Sequence, residues 1–291
     1  IQFINNDLFP ALKELTFIDK NDPRHIVRGV MEDSFNYMKS SSLLKDVIDK
    51  INQSIDFSKQ EERHLFNDIY EKILKDLQSA GNAGEFYTPR PVTKFIVEMV
   101  NPTIGDKILD PACGTGGFLI NALEHIRANH PKMSVKDREQ LQRSIRGVEK
   151  KQLPHLLATT NLILHSIELP AIEHGNLLIE GTNDITPRQQ VNVVITNPPF
   201  GGQEEDGIES SFPTDVQTRE TADLFLFLIL EMLKPAGRCG LVLPDGFLFG
   251  DGVTARIKEK LLNECNLHTI IKLPNGVFAP YTGIKTNLLF F

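Results

Sequence analysis

Asn197-Pro198-Pro199-Phe200 sets an amide, two prolines and an aromatic ring in immediate succession behind the apolar run Val191-Asn192-Val193-Val194-Ile195-Thr196. Neither proline carries an N–H and each has a fixed φ. The turn is therefore stiff, donates nothing, and can offer the Pro198 carbonyl as an acceptor beside the Asn197 side-chain oxygen. Two such acceptors suit one planar exocyclic NH₂ group. The lone pair of that amine is delocalised into its ring; acceptors that draw both hydrogens out of plane localise the pair on nitrogen and make it a nucleophile. Phe200 supplies a face on which a base can stack. The competing reading is a strand-terminating loop that happens to contain Pro-Pro, and a short motif stays a hypothesis until its context is known.

That context lies upstream. Asp110-Pro111-Ala112-Cys113-Gly114-Thr115-Gly116-Gly117-Phe118 falls where a strand pattern gives way to a helical one, the position at which an open α/β sheet binds its ligand. The core Gly114-Thr115-Gly116-Gly117 lacks the G-x-G-x-x-G frame, and no Gly-Lys-Ser/Thr follows, so neither a dinucleotide cradle nor a P-loop is satisfied. Asp110 at the strand end would repel a pyrophosphate and attract an ammonium. S-adenosylmethionine carries an ammonium and a sulfonium, and it fits this loop better than a dinucleotide does. Glu149, closing Gly147-Val148-Glu149 at the end of the next strand pattern, is placed to accept both ribose hydroxyls. Taken alone it also reads as a solvated strand-end carboxylate.

These motifs need a sheet to hold them. Strand patterns at 107–110, 145–149, 191–196 and 239–243 alternate with helical periods at 117–129, 153–165, 222–233 and 253–263, which predicts a parallel, doubly wound sheet. The last two runs, 268–273 and 285–291, are joined by a segment too short for a crossover helix and are expected to pair antiparallel. Before the sheet the pattern is helical. Leu65, Ile69, Ile73 and Leu77 recur every four residues, Asp22-Pro23 reads as a helix start, and Ser58 ahead of Gln60-Glu61-Glu62 reads as another. Gly81-Asn82-Ala83-Gly84 breaks the last helix, giving a helical region at 1–80 and an α/β region at 81–291. The helical part is either a module of its own or an extension packed on the sheet. The polar, acidic stretch 201–220 behind the tetrapeptide is expected to be a mobile loop.

The 291 residues carry a net charge of −7, so the global basic signature of a chain that grips nucleic acid unaided is missing. One basic-rich stretch, with Lys132, Lys136, Arg138, Arg143, Arg146, Lys150 and Lys151, could face phosphates or form a solvated helix face beside the cofactor loop. Cys113, Cys239 and Cys265 are far apart with no metal-ligand spacing, which suits a reducing cytoplasm and argues against a structural metal. No apolar run reaches transmembrane length. The start without Met and the stop inside Leu288-Leu289-Phe290-Phe291 suggest part of a longer protein, incomplete in the helical region and beyond the sheet.

The order of the loop from Asp110 to Phe118 and then Asn197-Pro198-Pro199-Phe200 resembles the amino-methylating DNA methyltransferases. Gly84-Glu85-Phe86-Tyr87-Thr88-Pro89 looks like the additional cofactor-side motif of that group. The resemblance is to the modification subunits of type I restriction-modification systems, and it extends to Asn161-Leu162-Ile163-Leu164-His165, His174-Gly175-Asn176-Leu177-Leu178, Gly240-Leu241-Val242-Leu243-Pro244-Asp245-Gly246 and Leu273-Pro274-Asn275-Gly276-Val277-Phe278. It implies a Rossmann-like S-adenosylmethionine-dependent methyltransferase sheet with an antiparallel edge hairpin behind a small helical N-terminal domain. It also implies N6 methylation of a flipped-out adenine in double-stranded DNA. Glu85, Phe86, Tyr87, Thr88, Pro89 and Arg90, together with Pro111, Cys113, Gly114, Thr115, Gly116 and Gly117, would lie against the cofactor, Glu149 on its ribose, and Asn176 and Leu177 near its adenine. Asn176 stands where such enzymes often carry Asp. Asn197, Pro198, Pro199 and Phe200 would hold the target base, and Phe278, or Tyr281, would close its second face. By pattern alone Phe86 and Tyr87 read equally as a helix-entry staple and Phe278 as a core aromatic. The implied partners are a specificity subunit, a restriction subunit and a second methyltransferase copy. Two alternatives stay open: an amino-methyltransferase for cytosine, RNA guanine or protein glutamine, and a non-catalytic assembly subunit on the same fold.

Overall fold

Apolar strand patterns that alternate with helices bury both faces of a sheet only when helices cover each side. The computed structural model has this architecture, and it describes residues 1–19, 22–54, 56, 70, 72, 88–182, 185–200, 202–279 and 282–291. Seven strands, β1 Ile108–Asp110, β2 Ile145–Glu149, β3 Ala171–His174, β4 Val191–Thr196, β5 Leu233–Pro244, β6 Thr269–Lys272 and β7 Thr286–Phe290, lie in the order β3-β2-β1-β4-β5-β7-β6. The pairs from β3 to β5 are parallel, and β7 is antiparallel to both β5 and β6. The mixed sheet and its antiparallel edge are those expected from the sequence.

Successive strand residues serve opposite faces. Leu109, Val194, Leu241, Leu243 and Leu289 enter one core, while Ile108, Val193, Ile195, Val242, Leu288 and Phe290 enter the other. The helices are α1 Phe9–Lys13, α2 Arg24–Met31, α3 Ser41–Ser54, α4 Arg90–Val100, α5 Gly117–Asn129, α6 Val135–Ser144, α7 Gln152–Leu164, α8 Leu177–Glu180, α9 Thr221–Met232, α10 Asp245–Leu248 and α11 Val253–Glu264. Every residue of α9 except Glu231 is buried, as an all-round apolar helix requires. In contrast, α1, α2 and α3 bury no residue. Asp22 accepts the Arg24 N–H at 3.0 Å, and Pro23 already has helical dihedrals, so the expected helix start holds within one residue. Of the expected helix around 65–77, Tyr70 and Lys72 are described and are helical, and the Tyr70 hydroxyl donates to the Leu157 carbonyl at 2.8 Å; the periodic residues Leu65, Ile69, Ile73 and Leu77, the start at Ser58 and the boundary at 81–84 lie outside the described residues.

Three expectations are corrected. β5 starts at Leu233, six residues before the expected strand, because a bulge opposite Val191 and Val193 absorbs Pro235-Ala236-Gly237, where Ala236 takes a positive φ of 60°. Segment 202–220 is packed: Ile208, Phe212 and Val216 plug the core, and Gln203 bridges Glu220. Its acidic composition hid three apolar anchors spaced four residues apart. The basic stretch is not one patch. Lys136 and Arg143 lie on α6 near Gly105 and Lys107, ahead of β1, whereas Lys150 and Lys151 follow the opposite end of β2.

Candidate active site

β1 pairs with β2 on one side and β4 on the other, so strand order reverses at β1 and a crevice opens beyond the carboxyl ends of these strands. Asp110 ends β1, Glu149 ends β2, and Asn197 directly follows β4. Three motifs distant in sequence thus meet around a cavity of about 360 Å³. Cys113, Gly114, Thr115, Gly117, Phe118 and Glu149 line one flank, and Asn197, Pro198, Pro199, Phe200 and Phe278 line the other, with Thr88 and Thr93 between the two motifs.

On the first flank, the Cys113 N–H donates to the Val148 carbonyl at 3.0 Å and fastens the loop to β2. Gly116 caps α5 with φ 80°, a left-handed conformation that favours glycine, and it packs close to Ala158. Gly147 permits a closer approach, since a β-carbon would stand 2.9 Å from Cys113 Sγ, Leu119 Cδ1 and Ile172 Cδ1. Glu149 accepts the Gly114 N–H through Oε2 at 2.9 Å and the Lys151 N–H through Oε1 at 2.7 Å. Each oxygen keeps a lone pair free for a hydroxyl. Burial raises the Glu149 carboxyl above its ordinary range, against the pull of those two donors. The Cys113 thiol is pushed well up by burial and by the nearby Asp110 and Glu149 carboxyls, so it stays a neutral packing group.

Asp110 is fully buried and does not reach the cavity wall. Its Oδ1 accepts the Thr196 hydroxyl at 2.7 Å and the Ala112 N–H at 3.2 Å, while Oδ2 is buried with no partner among the described residues. Burial pushes this carboxyl up to about 7, with the Glu149 charge adding to the rise and the two donors opposing it. Glu149 on this flank and the Asp110 carboxyl buried behind it bias the site toward a cation.

On the second flank, the Asn197 Nδ2 donates to Thr88 Oγ1 at 2.9 Å, and its Oδ1 is buried without a partner among the described residues. Asn197 lines the cavity, and the oxygen that chemistry would need as an acceptor is buried and unused among the described residues. Phe200 and Phe278 meet edge to face, 5.9 Å between centroids at 84°. Phe278 is both a core aromatic and part of the cavity wall; it buttresses Phe200 with a perpendicular ring and offers no second parallel face in this conformation.

Other anticipated residues stand further back. Arg90 donates to the Gly117 carbonyl at 3.2 Å, tying α4 to the glycine loop. Asn176 caps α8 through the Leu178 N–H at 3.1 Å and donates to Glu204 at 3.1 Å, and Leu177 is in the core; neither lines the cavity. Pro89 and Pro111 flank it without lining it. Glu85, Phe86, Tyr87 and Tyr281 lie outside the described residues. The sequence reading missed Thr196, whose hydroxyl holds Asp110, and Asn161, which is fully buried in α7 and donates to the Thr115 carbonyl at 3.1 Å. A lone Asn in an apolar helical run was the available signal for the second. Glu204 was also missed: nearly buried, it accepts from Lys150 at 3.3 Å, from Asn176, and from Thr221 at 3.3 Å.

Residues 61–291 match the sequence pattern of the N-6 DNA Methylase family. The chain belongs to this family. This chain is 60% identical over its whole length to the type I restriction enzyme EcoEI methylase subunit of Escherichia coli, of which it covers 59%. It is 34% identical over 79% of its length to the EcoKI methylase subunit of Escherichia coli K12, covering 44% of that protein. The chain thus spans roughly two to three fifths of these curated relatives. Among solved structures, a type I modification subunit from Vibrio vulnificus superposes with a TM-score of 0.88 at 47% identity, over all of this chain and 64% of that one. The EcoKI M protein superposes with a TM-score of 0.64 at 27% identity, over 100% of this chain and 53% of that one.

Proposed function

We propose that this chain is the catalytic part of a site-specific DNA adenine-N6 methyltransferase that uses S-adenosylmethionine and works as the modification subunit of a type I restriction-modification complex. The observation that carries this reading is the Asn197 amide: its nitrogen is held by Thr88, its oxygen has no partner among the described residues, and it lines a cavity shared with the glycine loop and Glu149.

The residues fit the cofactor. Glu149 keeps a free lone pair on each oxygen for the ribose hydroxyls, the buried Asp110 favours the ammonium, and the first turn of α5 at Gly117 presents N–H groups suited to a carboxylate. When bound, S-adenosylmethionine supplies a methyl carbon on a sulfonium leaving group. Asn197 Oδ1, with the Pro198 carbonyl as its companion, accepts the hydrogens of the adenine amine and stabilises the positive charge that grows on nitrogen as it attacks. The amine then loses a proton. Phe200, propped by Phe278, provides a stacking face that offsets part of the few kcal/mol needed to flip a base from the duplex.

In this reading residues 1–80 form a helical N-terminal region and 81–291 the catalytic domain. The working complex adds a specificity subunit, a restriction subunit and a second methyltransferase copy. Its DNA substrate assigns it to the cytoplasm, and no helix among the described residues is long and apolar enough to cross a membrane.

The test is labelled-methyl transfer to DNA, with and without the specificity subunit, followed by digestion to nucleosides. Labelled N6-methyladenine is the expected product; methylcytosine or labelled protein overturns the assignment. Asn197→Ala should lower the transfer rate by about 10²–10³-fold, the loss seen when one preorganised charge-stabilising group is removed. Its S-adenosylmethionine binding, measured by calorimetry, should stay close to wild type.

A further inference from the structure

Glu204 stands four positions after Phe200, is nearly buried and does not line the cavity. A carboxylate that leaves water must find donors, and here they come from three elements. Its Oε2 accepts from Lys150 Nζ at 3.3 Å and from Asn176 Nδ2 at 3.1 Å, and its Oε1 accepts the Thr221 hydroxyl at 3.3 Å. The direction of the first two bonds is fixed. An ammonium only donates, and Asn176 uses its Oδ1 on the Leu178 N–H at 3.1 Å, so the nitrogen end of that amide is the one that faces the carboxylate. The backbone is held as well: the Glu204 N–H donates to the Arg219 carbonyl at 2.9 Å, and the Glu204 carbonyl accepts Arg219 Nε at 3.0 Å and Nη2 at 2.8 Å. The Thr221 N–H donates to the Gly202 carbonyl at 3.1 Å. The chain that leaves Asn197-Pro198-Pro199-Phe200 is therefore clamped just beyond its aromatic ring.

We propose that Glu204 is a positioning residue that couples the two flanks of the site: through its contact with Lys150, an occupied cofactor flank steadies the turn that receives the base. The role rests on the methyl-transfer reading above and adds to it a residue that touches neither cofactor nor base. Lys150 directly follows Glu149, the carboxylate set against the cofactor ribose, and it lines the same cavity as Phe200. The Lys151 N–H is held by Glu149 Oε1 at 2.7 Å, so a ligand on Glu149 orders the backbone that carries Lys150. Lys150 in turn grips Glu204, and Glu204 grips the segment behind Phe200. Glu205 also meets Lys150, at 3.0 Å, but its side chain is largely exposed and that contact is screened by water. Such coupling is reciprocal: a cofactor that favours the base-out complex is itself held more tightly, by the same factor, when DNA is bound.

The experiment uses the full-length protein assembled with its specificity subunit and a duplex carrying 2-aminopurine at the target adenine, whose fluorescence reports the flipped base. DNA affinity is measured with and without saturating S-adenosylhomocysteine, an unreactive stand-in for the cofactor. In wild type the cofactor analogue should tighten DNA by about five-fold or more, and in Glu204→Ala by less than about two-fold. Glu204→Gln should keep most of the coupling, since its oxygen can still accept from Lys150 and Asn176 while its NH₂ turns to Thr221 Oγ1. Lys150→Met cuts the same link from a half-exposed position, so the test does not depend on Glu204→Ala folding; it should lose the coupling, and the double variant should lose no more than either single one. Glu205→Gln should leave the coupling in place. Four results overturn the role: a wild type without coupling, full coupling in Glu204→Ala or Lys150→Met, no rescue by glutamine, or a loss in Glu205→Gln as large as in Glu204→Ala. Labelled-methyl transfer to unmodified DNA is followed in parallel. A wild-type complex that methylates no adenine overturns the underlying reading and this role with it, whereas a methylating complex without coupling overturns the Glu204 role alone.

Discussion

Burial holds the Asp110 carboxyl at about 7 although two donors grip its Oδ1, because Oδ2 lies in the interior with no partner among the described residues. The stability consequence follows from the proton count. In the unfolded chain the group titrates near 3.8, so between about pH 4 and pH 7 the folded state holds the extra proton. This residue's contribution to stability therefore falls as pH rises through that window and is level above it. Asp110→Asn imitates the protonated acid. It should melt close to wild type at about pH 4, increasingly above wild type as pH rises towards 7, and by a constant margin at about pH 8, with the cofactor-free protein followed by scanning fluorimetry; parallel melting curves for the two proteins would count against the assignment. A bound cation near Oδ2 favours the ionised form, so the affinity for S-adenosylmethionine should rise with pH across the same window.

At the scale of elements, the site depends on how closely β2 lets the glycine loop approach. A methyl group at Gly147 meets Cys113 Sγ of the loop, Leu119 Cδ1 of α5 and Ile172 Cδ1 of β3, each at 2.9 Å, so side chains on three elements must shift. Gly147→Ala should cost about 1–3 kcal/mol of overpacking, read as an earlier midpoint in urea denaturation, and should weaken cofactor binding in proportion to the displaced loop. The strands that carry the motifs were legible because central parallel strands are apolar throughout: β2 and β4 match the expected spans residue for residue. β3 was not. It is an edge strand with three of four residues exposed, and Ala171-Ile172-Glu173-His174 has no apolar run to betray it. The meeting of Asp110, Glu149 and Asn197 was readable from strand ends. The bonds Asn197 to Thr88 and Asp110 to Thr196 were not, because a hydroxyl's partner is set by strand order and register, and the sequence leaves both open. Glu204 was hidden for the same reason, its partners Lys150, Asn176 and Thr221 coming from three separate elements.

For the whole molecule, charge decides how DNA is held. The net charge is −7, and the positive residues are divided between two ends of the sheet. Lys150 and Lys151 line the cavity, but Lys150 is already shared between Glu204 at 3.3 Å and Glu205 at 3.0 Å, and Lys136 and Arg143 sit ahead of β1 on the other side. Each phosphate that a protein neutralises adds about 0.9 to the slope of log affinity against log salt. Even with both wall cations turned to phosphates the slope would be no steeper than about −1.8. The full-length protein alone should therefore bind duplex DNA weakly with a shallow slope, and adding the specificity subunit should steepen it by several phosphates' worth. Fluorescence anisotropy between about 50 and 200 mM salt reads this directly. A steep slope from the protein alone would mean that DNA is gripped by a surface of the methyltransferase itself. A slope that steepens only in the complex means that the partner supplies the phosphate contacts and this chain supplies the pocket for the flipped base.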